Sequence, residues 1–86
     1  MYYVYILESK IDSELYAGYS ENLEKRAETH HAGLVKATRN RRHMQLIYYE
    51  AYIDKADAKG REEFLKSGSG HRFLKRQLTN YLSKRK

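Results

Sequence analysis

The stretch Tyr2-Tyr3-Val4-Tyr5-Ile6-Leu7 decides the fold. Six residues in a row are aromatic, β-branched or aliphatic, rich in β-formers, and read as a buried strand. Ser9 to Glu14 is polar and holds Asp12-Ser13, a hairpin turn signal, and Leu15 to Tyr19 resumes a strand. Ser20 reads as the N-cap of a helix, with Glu21 and Glu24 in its first turn, running to about Ala32 and stopping at Gly33. Leu34 to His43 is a basic loop, and Met44 to Ile53 is a third strand, rich in Tyr. Asp54 caps a second helix that ends near Ser67-Gly68. After Gly68-Ser69-Gly70 a third helical pattern carries Phe73, Leu74, Leu78, Tyr81 and Leu82, and Lys84 to Lys86 is expected to fray. The expected fold class is therefore α+β: a three-stranded antiparallel sheet packed by helices, in the order ββαβαα.

The 86 residues make one domain, expected over 1–86, with a modest core. The chain has no Cys, which excludes disulfides, thiolate metal sites and cysteine nucleophiles. Its longest apolar run falls far short of the ~20 residues of a membrane span. No secretory signal pattern opens the sequence, so a soluble cytoplasmic domain is expected. The net charge is +6, from 17 Lys and Arg against 11 Asp and Glu, and it is unevenly spread. Residues 59–86 carry nine basic and two acidic residues, a net +7, and the preceding 58 residues carry a net −1. A second basic cluster, Lys36, Arg39, Arg41 and Arg42, has no acid from residue 33 to 49. Two such segments point to a polyanionic partner, most often nucleic acid, or to a plain solubilising surface.

Tyr3-Val4-Tyr5 and Tyr16-Ala17-Gly18 sit on adjacent hairpin strands, where their tyrosines can approach one another. Gly18 leaves room for a close approach. Tyrosines in strands also serve as half-buried packing residues with a wet hydroxyl. Arg26 and His30 share one helical face at i, i+4 and can grip phosphate and relay a proton, or simply face solvent. Glu62, in Arg61-Glu62, is a lone carboxylate in a basic region. It suits Mg²⁺, which takes one or two carboxylates plus waters and phosphate, and it equally suits an i, i+4 salt bridge with Lys66.

These residues, in this order, resemble the GIY-YIG nucleases. The first motif corresponds to Tyr3-Val4-Tyr5 and the second to Tyr16-Ala17-Gly18, followed in register by Arg26, His30 and Arg61-Glu62. The opening Tyr-Val-Tyr-Ile-Leu string and Leu65-Lys66-Ser67-Gly68-Ser69-Gly70 are similar to the small single-domain bacterial group that resembles the N-terminal domain of the excision-repair nuclease. The resemblance covers about residues 2 to 78. Tyr19 follows the second motif where many members have a basic residue, and Leu74 falls near a position that many give to Asn.

The resemblance implies phosphodiester hydrolysis with one divalent ion, Mg²⁺ or Mn²⁺, held by Glu62. It implies catalytic roles for Tyr5, Tyr16, Arg26 and His30. Arg39, Arg41, Arg42, Lys66, Arg72, Lys75 and Arg76 would hold the backbone of nucleic acid, DNA more than RNA, with no membrane partner. Two other readings remain: a nucleic-acid-binding module of the same fold without strong catalysis, and a partner-binding domain using its tyrosine-rich sheet. The sequence sets no oligomeric state.

Overall fold

The computed structural model describes residues 1–23 and 44–84. Strands β1 (Tyr2–Ser9), β2 (Leu15–Ser20) and β3 (Met44–Tyr52) are followed by helices α1 (Lys55–Lys66), α2 (Gly68–Gln77) and α3 (Thr79–Lys84). The strands form one antiparallel sheet in the order β2-β1-β3, so the apolar opening stretch is the central strand. Its residues from Val4 to Ser9 are all buried, as expected of a strand covered on both sides.

The β1–β2 turn is built from its own polar residues. Ser9 Oγ accepts from the Ile11 and Asp12 N–H groups, and Asp12 Oδ1 accepts from Glu14 N–H at 3.1 Å. Ser13 takes a left-handed φ of 64°, and its N–H donates to Ser9 O at 2.9 Å. The Asp12-Ser13 signal thus marked the turn. It sets the register Tyr5↔Gly18 and Leu7↔Tyr16.

Alternation along the strands sorts two cores. On one face Val4 and Ile6 pack with Ala58, Leu65 and Leu74, flanked by Leu15, Ala17, Ile47, Tyr48, Tyr52 and Phe73. On the other, Tyr5, Leu7 and Met44 gather Tyr16, Leu23 and Leu46. A bulge joins them at β3, where Ile6 faces Tyr48 and Leu7 faces Leu46, leaving Ile47 as the extra residue.

Asp54 caps α1 as the sequence suggested, its carboxylate accepting from Ala56 N–H at 2.8 Å. Three expectations need correction. Strand β3 ends at Tyr52, not Ile53, because Tyr52 is the last residue with a partner on β1, Tyr2, and Ile53 is 87% exposed. Gly68-Ser69-Gly70 is not a break but the first turn of α2. Ser67 closes α1 through its N–H to Phe64 O, and it caps α2 by accepting from Gly70 N–H at 3.1 Å. The final helical pattern divides at Leu78 into α2 and α3, because Tyr81 of α3 donates to Glu8 at the end of β1, 2.5 Å away, and draws the last turn onto the sheet. The helix expected from Ser20 to Ala32 enters the described residues only at its start. There Ser20 Oγ accepts from Asn22 N–H at 3.0 Å.

Candidate active site

Tyr5 and Tyr16 come together as the sequence suggested. Tyr5 pairs with Gly18 and Leu7 with Tyr16, so the two tyrosines are diagonal neighbours on one sheet face. The Tyr5 side chain is 3% exposed, and its ring lies on Gly18. A β-carbon at Gly18 would collide with the Tyr5 hydroxyl and Cζ and would stand 2.8 Å from Cε1. The missing side chain of the second motif is therefore the space that the tyrosine of the first motif fills.

Glu62 is presented from the other face. It lies on the α1 stripe Ala58–Glu62–Leu65 that packs over Val4 and Ile6, and it is 9% exposed. Lys59 Nζ reaches its Oε1 at 3.1 Å, and Lys66 Nζ reaches its Oε2 at 3.0 Å. Burial pushes the Glu62 pKa up, but the two ammoniums outweigh it and hold the carboxyl below its ordinary value. The group is ionised. The Lys59 ammonium also lies 4.5 Å over the ring of Tyr19, the residue after the second motif. Tyr19 pairs with Val4, so its side chain shares the Glu62 face. Burial first, then the carboxylates of Glu21 and Glu62, keep its phenol protonated above the usual range.

The tyrosine pair and the carboxylate thus flank β2 on opposite faces. Among the described residues β2 is the edge of the sheet, and the strand stands between the tyrosine pair and Glu62, which do not meet in a shared concavity. Arg26, His30, Arg39, Arg41 and Arg42 lie outside the described residues. Lys66 is bound to Glu62, as the salt-bridge reading allowed. Arg72, Lys75 and Arg76 are exposed on α2, with Arg72 Nη2 donating to Ser69 Oγ at 3.0 Å. Lys75 lines a cleft of about 310 Å³ with Asp12, Glu14, Leu15 and His71. Leu15 starts β2, whereas Tyr19 stands near its end, so Lys75 is at the opposite end of the strand from the Glu62 cluster.

Arg61 does different work from its neighbour. Its guanidinium makes a bidentate pair with Glu50 of β3, 2.9 and 3.0 Å, while the Tyr48 and Tyr52 hydroxyls each donate to the same carboxylate at 2.6 Å. It also stacks 4.5 Å from the Phe73 ring of α2. One residue therefore ties β3, α1 and α2 together and fixes the rotation of α1 that turns Glu62 inward. Sequence reading overlooked this knot and Lys59. The signals were present: Glu50 is the lone acid in an aromatic strand with tyrosines at i±2, and Lys59 stands at i−3 from Glu62.

Residues 1–76 match the family model described as the GIY-YIG catalytic domain. The UPF0213 protein of Clostridium perfringens is 45% identical over 67 residues, covering 77% of this chain and 71% of that protein. The UPF0213 protein of Staphylococcus haemolyticus is 43% identical over 75 residues, covering 86% and 90%. That of Haloquadratum walsbyi is 40% identical over 67 residues, covering 77% and 74%. No solved structure matches the chain. Family membership implies nuclease chemistry on a nucleic acid, and nucleases of this kind are generally dependent on a divalent metal. With its two motifs on paired strands and a buried glutamate behind them, the chain belongs to the GIY-YIG catalytic domain family.

Proposed function

We propose that this domain is a metal-dependent endonuclease that hydrolyses DNA phosphodiesters in the cytoplasm, in repair or processing of DNA. The observation that carries this reading is Glu62: an ionised, largely buried carboxylate beside the strand that holds the second motif.

The residues present fit a divalent cation. Glu62 offers an ionised carboxylate oxygen, the hard donor that Mg²⁺ and Mn²⁺ take. A single carboxylate suits an ion otherwise completed by waters and substrate phosphate. When bound, such an ion would offset charge on a phosphoryl oxygen and the leaving 3′ oxygen.

Tyr16 orients the attacking water or accepts its proton. A phenol of pKa about 10 needs cationic help for that role, and Arg26 supplies it while stabilising the phosphoryl charge. Tyr5, wedged onto Gly18, fixes the strand pair and contacts Tyr16 or a phosphate. His30 is an auxiliary phosphate or proton contact. Arg39, Arg41, Arg42, Lys66, Arg72, Lys75 and Arg76 hold the backbone without reading sequence.

The test is cleavage of single-stranded, branched and duplex DNA with Mg²⁺ or Mn²⁺. Nicking that Glu62→Ala and Tyr16→Phe abolish is the expected result. Intact substrates throughout, with salt-sensitive binding that Glu62→Ala leaves unchanged, would reduce the domain to a binding module.

A further inference from the structure

We propose that Lys59 and Lys66 are phosphate-contacting residues held in reserve on Glu62, which makes binding of a divalent cation and of nucleic acid mutually reinforcing at this site. The inference rests on the reading of Glu62 as the metal ligand. The two lysines take different carboxylate oxygens, at 3.1 and 3.0 Å, from one turn before and one turn after Glu62 on α1. The carboxylate side chain is 12% exposed, whereas the lysines are 54% and 56% exposed. Their ammoniums therefore close over the carboxylate from the solvent side.

Each Glu62 oxygen keeps a free lone pair beside its ammonium, but a divalent cation there competes with Lys59 and Lys66 for the carboxylate charge, so the lysines loosen their hold as it binds. Half-exposed pairs of this kind are weakly held, and the exchange is easy. Where the freed ammoniums go follows from their tethering. Both stems start within a turn of Glu62, and Lys59 already rests on Tyr19 at the end of β2. They remain beside the carboxylate, where the nearest anion would be the phosphate that shares the cation.

Charge count gives the same direction. Lys59, Lys66 and Glu62 present a net +1 to an incoming polyanion without the metal and +3 with it. Metal then strengthens the grip on phosphate, and by linkage phosphate strengthens the grip on metal to the same degree. The added charge alone gives part of this coupling, and the part that passes through Lys59 and Lys66 is what the lysine variants remove.

The experiment is titration calorimetry of Mn²⁺ into the wild type, Glu62→Gln, Lys59→Met and Lys66→Met, with and without a DNA oligonucleotide whose linkages are phosphorothioate. Fluorescence anisotropy gives the oligonucleotide affinity, and circular dichroism checks folding. Without DNA, each lysine variant is expected to bind Mn²⁺ about two- to fivefold more tightly, the worth of an exposed pair. Mn²⁺ is expected to tighten oligonucleotide binding by the wild type about fivefold or more, the usual lower range of site coupling, and by less in either lysine variant. The proposal is overturned if Mn²⁺ affinity is unchanged in the lysine variants. It is also overturned if they keep the full wild-type gain in DNA affinity, as simple relief of repulsion would allow. If Glu62→Gln binds Mn²⁺ like the wild type, the metal reading itself falls. Loss of Mn²⁺ binding in Glu62→Gln with neutral lysine variants defeats this inference alone.

Discussion

The same substitution at two glycines should have opposite outcomes. Gly60 lies mid-helix on the exposed side of α1, and a β-carbon there meets nothing within 4 Å. Gly60→Ala removes the entropic cost of glycine and is worth about 0.5–1 kcal/mol of added stability. Gly70 is buried in the first turn of α2, where a β-carbon would strike the Phe64 carbonyl oxygen and stand 2.5 Å from Leu65 Cα and 2.7 Å from Phe64 C. All three are backbone atoms of α1, so no rotamer change relieves the clash. The two helices must part by about 1 Å to restore ordinary contact with Leu65 Cα, near 3.5–4 Å. That opening loosens Leu65 and Leu74, now 0% and 1% exposed. Overpacking of a well-fitted core costs about 1–3 kcal/mol or more, and backbone contacts place Gly70→Ala at the upper end. After the propensity gain of up to 1 kcal/mol, a net loss of about 2–3 kcal/mol remains. In a domain of this size 1 kcal/mol moves Tm by about 4–8 °C, so thermal melting should show a fall of about 10–20 °C for Gly70→Ala and a rise of a few degrees for Gly60→Ala. A Gly70→Ala protein that melts within about 3 °C of the wild type would refute the tight helix crossing.

Gly18→Ala tests the coupling of the two motifs. The obstructing atoms belong to the far end of the Tyr5 side chain, so the ring swings off the strand, and cleavage should fall while the protein stays folded by circular dichroism. For Glu50→Gln, a loss of about 2–3 kcal/mol is expected at neutral pH, since the charge-assisted bonds to Arg61 go. Burial raises the Glu50 pKa, but bonds from Arg61, Tyr48 and Tyr52 outweigh it and bring it below 4.5. Its stabilisation is thus complete above that value and is lost as pH falls through the folded one. Denaturation curves of wild type and variant should draw together as acid protonates Glu50, and a gap that does not narrow at any acid pH would defeat the assignment. Burial and the bond to Glu50 push Tyr52 up to about 12, and burial also raises Tyr48 and Tyr19, so ultraviolet titration should find a late-ionising group of tyrosines that includes Tyr52. That contribution to stability is present below pH 10 and lost as pH rises through 12, and Glu50→Gln should lower the late pKa.

What the sequence determined by itself is the local frame. A short unbroken run of aromatic and β-branched residues favours a buried strand over a helix, so Tyr2-Tyr3-Val4-Tyr5-Ile6-Leu7 was legible as one, and only the pairing put it at the centre of the sheet. Asp12-Ser13 and Asp54 carry side chains that bond their own backbone, so the turn and the α1 cap were legible without tertiary knowledge. The motif spacing brought Tyr5 and Tyr16 together because hairpin register is itself local.

Tertiary structure decided the remainder. Glycines normally interrupt helices, and Gly68-Ser69-Gly70 opens one because Ser67 caps it and the α1–α2 crossing leaves no room for a β-carbon at Gly70. The pull of Glu8 on Tyr81, 73 residues away, divides the last helix. Period-two alternation separates the faces of β2, but it cannot say which face a later helix covers. Only the packing of α1, rotated by the Arg61–Glu50 knot, set Glu62 opposite the tyrosines and brought Lys59 between it and Tyr19. Chain order records neighbours along the backbone, whereas a site is made of side chains that meet from separate elements.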